Sequence, residues 1–367
     1  MSPIPYRADQ VGSLLRPPRL LEARSAQAQG RITRDDLRKV EDEAILEGLE
    51  MQRAAGGQVF TDGEYRRRSW QTAVAEAVEG FVTDALPIDW RGPRQGSEEP
   101  SSLQVVGGKL RQTRRVTAHE SAFLEEHAPG PFKITIPSPS VFMLGAYKPG
   151  LTERYYPTRQ DLVHELIPIV RRELQALIDE GVPYVQLDAP QYTYYVDPRL
   201  RVDMVRDGID PDQAVADAVA ADNACIEGLH REGVVIALHA CRGNRRSMWV
   251  AEGGYDTIAE QLFAHLQVDR FLLEYDTDRA GGFEPLRFVP PGKTVVLGLV
   301  TTKEPRFETQ DELLRRIDEA SHYVPMENLA LSPQCGFASN SAGNLISFDD
   351  QRRKIELVVE TARRVWG

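Results

Sequence analysis

Within residues 234–300 three apolar runs follow one another: VVIALH (Val234–His239), RFLLE (Arg270–Glu274) and TVVLGLV (Thr294–Val300). Each is nearly continuous rather than alternating. A strand with one face in water alternates, whereas a parallel strand covered on both faces does not. Working outward, similar runs recur at Ala8–Ser13, Gln58–Glu64, Lys133–Ser138, Tyr184–Asp188 and Leu329–Cys335. Amphipathic segments lie between them, at Asp35–Ala54, Thr158–Glu180 and Asp212–Glu232, and a last one, Asp349–Trp366, closes the chain. The first of these runs into the pair Gly56–Gly57, which suits a helix C-terminus. Eight strand runs alternating with helices predict a (β/α)8 TIM barrel spanning residues 1–367 as one unit. A doubly wound sheet is the competing architecture, but no GxGxxG or GxxxxGK[ST] follows any run. Residues 89–130 break the rhythm, being polar and rich in Gly and Pro. Inside them LQVVGGKLRQT (Leu103–Thr113) reads as a β-hairpin turning at Gly107–Gly108, an excursion after the second β/α unit.

Composition narrows the class. Hydrophobic residues make up 41% and charged residues 27% of the 367, which excludes a disordered chain. No run approaches the roughly 18 apolar residues of a membrane span. The opening MSPIPYRADQVGS lacks the basic-then-apolar pattern of a secretory signal. A net charge of −11 argues against a nucleic-acid or acidic-membrane partner. Three cysteines are no disulfide framework, and the cytoplasm is the expected compartment.

A barrel places its chemistry at the C-terminal ends of its strands. Those positions carry Gly12–Ser13, Asp62-Gly63-Glu64, Ser138-Pro139-Ser140, Asp188, His239 with Cys241, Glu274, and Cys335. His239 and Cys241 are two residues apart at a strand end, so their side chains point the same way. An imidazole and two thiolates suit Zn2+, and Glu274 is a candidate fourth ligand. The alternative is that Cys241 and Cys335 are small buried hydrophobes, which is the reading preferred for Cys225 in its helix. Glu64 and Asp188, facing one cavity, would suit an ammonium; their alternative is an ordinary helix-terminus or arginine partner. Arg66, Arg67 and Arg68, with Arg242, Arg245 and Arg246, form either a solvated rim or a site for an anionic substrate group.

The segments VGSLLRP (11–17), DGEYRRRSW (62–70), QLDAP (186–190), HACRGN (239–244), LLEYD (272–276) and SPQCGF (332–337) resemble the catalytic barrel of the cobalamin-independent methionine synthases. The resemblance covers nearly the whole chain. It implies zinc held by His239, Cys241, Glu274 and Cys335, which binds homocysteine as its thiolate. It also implies that the backbone near Gly12 and Ser13 takes the amino acid's carboxylate, and that Glu64 and Asp188 take its ammonium. The full-length family has two barrels and this chain spans one. The family's folate-stacking Trp is absent after the third strand, where SPSVFMLGAYKP offers Phe142 or Tyr147 instead. Its His after the seventh strand is replaced by Thr301, Thr302 and Lys303, leaving Lys303, Tyr192 or Tyr194 as possible proton donors.

Three functions stand at this point. The first is a zinc-dependent thiol methyltransferase making methionine from homocysteine, with methylfolate, a methylated corrinoid or a corrinoid protein as donor. The second is a related zinc thiol alkyltransferase of the epoxide-opening coenzyme M type. The third is a non-catalytic protein with a structural zinc.

Overall fold

The computed structural model describes residues 6–85, 88–92 and 102–367. Six parallel strands form one sheet, each hydrogen-bonded to the next in chain order: β3 (Lys133–Pro137), β4 (Tyr184–Asp188), β5 (Val235–Ala240), β6 (Arg270–Glu274), β7 (Thr294–Val300) and β8 (Leu329–Pro333). All their residues are buried, as the continuous apolar runs require. The main helices are α1 (Pro18–Ala28), α2 (Arg34–Ala54), α3 (Thr72–Ala77), α4 (Ala118–His127), α5 (Val141–Gly145), α6 (Arg159–Asp179), α7 (Pro198–Arg206), α8 (Pro211–Ile226), α9 (Gln310–Ser321) and α10 (Phe348–Trp366). Four of them start on capping boxes: Thr33 with Asp36, Thr158 with Asp161, Thr309 with Glu312, and Ser347 with Asp350.

The first two expected strands differ from the rest. Ala8 makes a single parallel bridge to Leu331 and Phe60 one to Phe132, so these runs lie along the two edges of the sheet. Side-chain amides replace the missing ladder. Gln58 accepts from the backbone N–H groups of Arg7 and Ala8 at 2.8 and 3.0 Å. Gln52 accepts from Thr61 N and donates to Thr61 O at 3.0 and 2.9 Å. The two runs also meet directly, with Leu14 N donating to Gly63 O at 3.1 Å. This is the (β/α)8 barrel architecture. Tyr6, Val11, Val59, Tyr184, Val235, Ala237, Leu272, Val296 and Ala330, drawn from both edge runs and the sheet strands between them, form one apolar cluster at its centre.

The excursion exists, but its turn is not at Gly107–Gly108. LQVVGGKLRQ lies within one strand, β2 (Ser102–Gln112), which pairs antiparallel with β1 (Val78–Ala85). The glycines serve a bulge rather than a turn. The register shifts between Glu79 and Phe81, and Gly80 there has φ +102°; a Cβ on it would fall 2.6 Å from the Lys109 carbonyl oxygen. The excursion therefore begins at Val78, ahead of the expected residue 89. The strand-to-strand connection lies in part outside the described residues.

Candidate metal centre and substrate pocket

Strand register places the chemistry. Asp188 ends β4 directly beside His239 of β5. Cys241 follows the end of β5, and Cys335 follows β8 in a turn closed by Gly336. A Cβ on Gly336 would sit 2.0 Å from Ser13 Oγ, so glycine there lets the first run pack against the cysteine turn. Phe337 N donates to Ser13 O at 2.9 Å across the same contact.

His239, Cys241 and Cys335 are buried, and their ligand atoms all lie within 4.8 Å of one another. The two sulfurs are 3.5 Å apart. Tetrahedral bonds of about 2.3 Å to one zinc would set them about 3.8 Å apart. His239 Nδ1 donates to Asp188 Oδ1 at 3.0 Å, while its buried Nε2 makes no hydrogen bond. A histidine oriented by a carboxylate, with its other nitrogen turned to two thiols, has the form of a metal ligand. Burial opposes charge on His239, but Asp188 and the Cys335 sulfur outweigh it and lift its pKa to about 9. Contact with Cys241, then His239, draws the Cys335 thiol down, while Cys335 and burial push Cys241 up.

Glu274 stands outside this group. Its Oε1 accepts from Arg279 Nη2 at 2.9 Å, and its Oε2 from Arg242 N and Gln334 Nε2 at 2.8 and 3.2 Å. Burial works against its charge, yet Arg279 and Lys303 hold its pKa down at about 2. The structure thus brings three of the four sequence-predicted ligands together and holds the fourth on an arginine.

A cavity of about 530 Å³ opens beside the three, and Ser13, Glu64 and Asp188 line it with them. Gly12 lies behind this wall, its carbonyl taken by Thr61 Oγ1 at 2.7 Å. Glu64 has a left-handed backbone, φ 56°, a costly conformation for a residue with a Cβ. Its Oε1 accepts from Thr135 Oγ1 at 3.0 Å and its buried Oε2 has no partner. Burial lifts its pKa to about 7 against the pull of Arg67. Asp188 shares its Oδ1 between His239 and Gln186 Nε2, the latter at 2.7 Å, so it also positions the imidazole.

The outer cavity corrects several expectations. Phe142 packs on Phe81 and Tyr147 lies under Arg159, and neither lines it. Trp70, Trp90 and Tyr194 do. Trp70 closes a segment already singled out, but Trp90 sits in a polar stretch with no periodic signal. Lys303 is buried, donating to Gly243 O at 2.8 Å, and Tyr192 donates to Asp222 at 2.8 Å. Of the three suggested proton donors only Tyr194 reaches the cavity. Of the six arginines only Arg68 and Arg245 line it. Arg67 is instead buried on Glu120, and Arg242 on the carbonyls of Gly253, Glu274 and Ala280.

Residues 8–362 match the family model for the cobalamin-independent synthase catalytic domain. The chain belongs to that family. A relative, the uncharacterized protein YxjH of Bacillus subtilis, is 36% identical over 99% of this chain and 95% of its own length. The methionine synthase of Pyrococcus abyssi is 25% identical over 89% of this chain and 84% of its own. A putative vitamin-B12 independent methionine synthase from Listeria monocytogenes superposes with TM-score 0.73 at 28% identity, covering 100% of this chain and 99% of that one. The fold of that protein is thus matched along essentially the whole chain. Among the described residues no helix is long and apolar enough to cross a membrane.

Proposed function

We propose that this synthase-family chain is a zinc-dependent methyltransferase that moves a methyl group onto the sulfur of homocysteine. The observation that carries the reading is the buried His239–Cys241–Cys335 group opening onto a cavity with an unpartnered carboxylate oxygen of Glu64. Three protein ligands, rather than a closed four, are the set that leaves room for a substrate atom. Zinc, when bound, supplies the positive charge that keeps a thiol deprotonated at neutral pH. Asp188 holds His239 with Nε2 toward the sulfurs. Glu64, and the remaining oxygen of Asp188, take the ammonium, while Ser13 and its backbone face the carboxylate. Trp70, Trp90 and Tyr194 form the wall against which a flat conjugated methyl donor packs.

An ammonium pocket speaks for an amino-acid thiol over coenzyme M, whose sulfonate would be repelled by Glu64. A cavity at the metal group speaks against a purely structural zinc. The test incubates zinc-loaded protein with homocysteine or coenzyme M and, in turn, methyltetrahydrofolate, methylcobalamin and an epoxide, reading the products by mass. Methionine formed only by zinc-loaded protein supports the reading. Alkylated coenzyme M in place of methionine, or no product from any pair, overturns it.

A further inference from the structure

The chain carries a net −11, yet a second cavity, of about 400 Å³, gathers Arg24, Arg34, Arg38, Arg66, Arg68 and Arg114. It lies between α1, the start of α2 and the foot of the hairpin. Three carboxylates answer these six cations. Glu41 is 3.3 Å from Arg24 and 3.7 Å from Arg66, Asp42 is 2.6 Å from Arg66, and Glu76 is 3.8 and 3.9 Å from Arg68 and Arg114. Arg34 and Arg38 make no ion pair among the described residues, and both are exposed at the rim.

Arg66 decides the reading. Its side chain is only 2% exposed, and its Nε and Nη1 make no hydrogen bond. The guanidinium carbon lies 4.8 Å from the centre of the Phe123 ring and Nη2 is held by Asp42 at 2.6 Å, so Arg66 is a fixed positive charge in the wall of the cavity and not part of a solvated rim. The surroundings are positive enough to act on a neighbour: burial, then Arg114 and Arg66, push the His119 imidazole down to about 4. Arg68 lines this cavity and the metal pocket alike, so the two adjoin.

We propose that this cavity is a binding site for a compact polyanion bearing two or more phosphate or carboxylate groups. Guanidinium forks match both groups in bidentate fashion, and several forks around one cavity select multiple charge over single charge. The anion is either the charged end of a substrate reaching across Arg68 or a separate effector. The inference does not depend on the methyl-transfer reading.

Calorimetric titration of the full-length, zinc-loaded protein with fructose 1,6-bisphosphate and with tricarballylate tests it. One saturable site is expected for at least one probe, weakening as salt rises. Arg34→Gln/Arg38→Gln, changed only at exposed positions, should loosen it about tenfold or more, and Arg114→Gln independently in the same direction. Zinc content should be unchanged in both variants. Heats that never saturate with either probe, or equal affinity in the wild type and both variants, overturn the proposal. Methyl-transfer kinetics with the tighter probe then separate the sources. A competitive rise in donor KM marks a substrate end, and an unchanged donor KM a separate effector.

Discussion

His239 gives one ring nitrogen to Asp188 and turns the other, unpartnered, toward two sulfurs. Removing a thiol removes a ligand, whereas removing the carboxylate only loosens one. Cys335→Ser should therefore lose most bound zinc, and Asp188→Ala should weaken zinc by about 10–100-fold, read by competition with a chelator. Full zinc retention in Cys335→Ser would discard the site. Glu64 makes the opposite trade. Its folded pKa of about 7 stands above the ordinary 4.5, so between those values the folded chain holds a proton that the unfolded chain has released. Stability then falls as pH rises through that window. At pH 8, Glu64→Gln should stabilise the fold, and by more than it does at pH 5. It should also raise the KM for homocysteine about tenfold through loss of a charge-assisted bond. Urea denaturation at pH 5 and pH 8 checks the first effect: equal stabilisation at both would show that the Glu64 charge is not its source.

Side-chain amides stand in for a strand ladder at the first two runs. Gln52, fully buried on α2, bonds Gln10 Nε2, Thr61 N, Thr61 O and Gly48 O at 2.6–3.0 Å. Gln52→Leu leaves the Thr61 N–H and carbonyl buried and unpaired, and should cost about 2–4 kcal/mol in denaturant unfolding. A cost below about 0.5 kcal/mol, the size of a surface change, would mean that the amide is not holding the runs. The hairpin depends on close approach instead. Gly80→Val places a Cβ against the Lys109 carbonyl in a left-handed backbone. Faster amide exchange across β1 and β2, with zinc content unchanged, is the expected result. Periodicity alone could not place this hairpin, because a Gly-Gly pair looks the same whether it turns a chain or relieves a bulge.

At the scale of the whole barrel, the N-terminal ends of the strands enclose a charged knot. Asp9 accepts from Lys133 Nζ and Tyr184 OH at 2.8 Å each and from Arg270 Nη1 at 3.1 Å. Lys133 also donates to Gln186 at 2.7 Å, and Gln186 reaches Asp188 at 2.7 Å, so polar contacts run up the barrel axis to His239. Asp9→Ala strands two cations in the core and should cost about 3–5 kcal/mol in stability. Urea unfolding measures it, and a near-neutral result would mean that the knot is hydrated.

Continuous apolar runs, helix caps and polar residues at strand ends are local features, so the sequence alone determined the barrel and its family. It also brought His239, Cys241, Cys335 and Asp188 to one end, because each lies within two residues of a strand terminus, and Glu64 joins them from the end of the second expected run. Only tertiary structure decided how those residues are used. Glu274 sits at an equivalent strand end, but Arg279, from the following loop, takes its carboxylate. Trp90 comes from the hairpin connection, and Arg24, Arg38 and Arg114 meet from elements far apart in the chain. Spacing along a chain carries no record of such meetings, because packing between elements sets them.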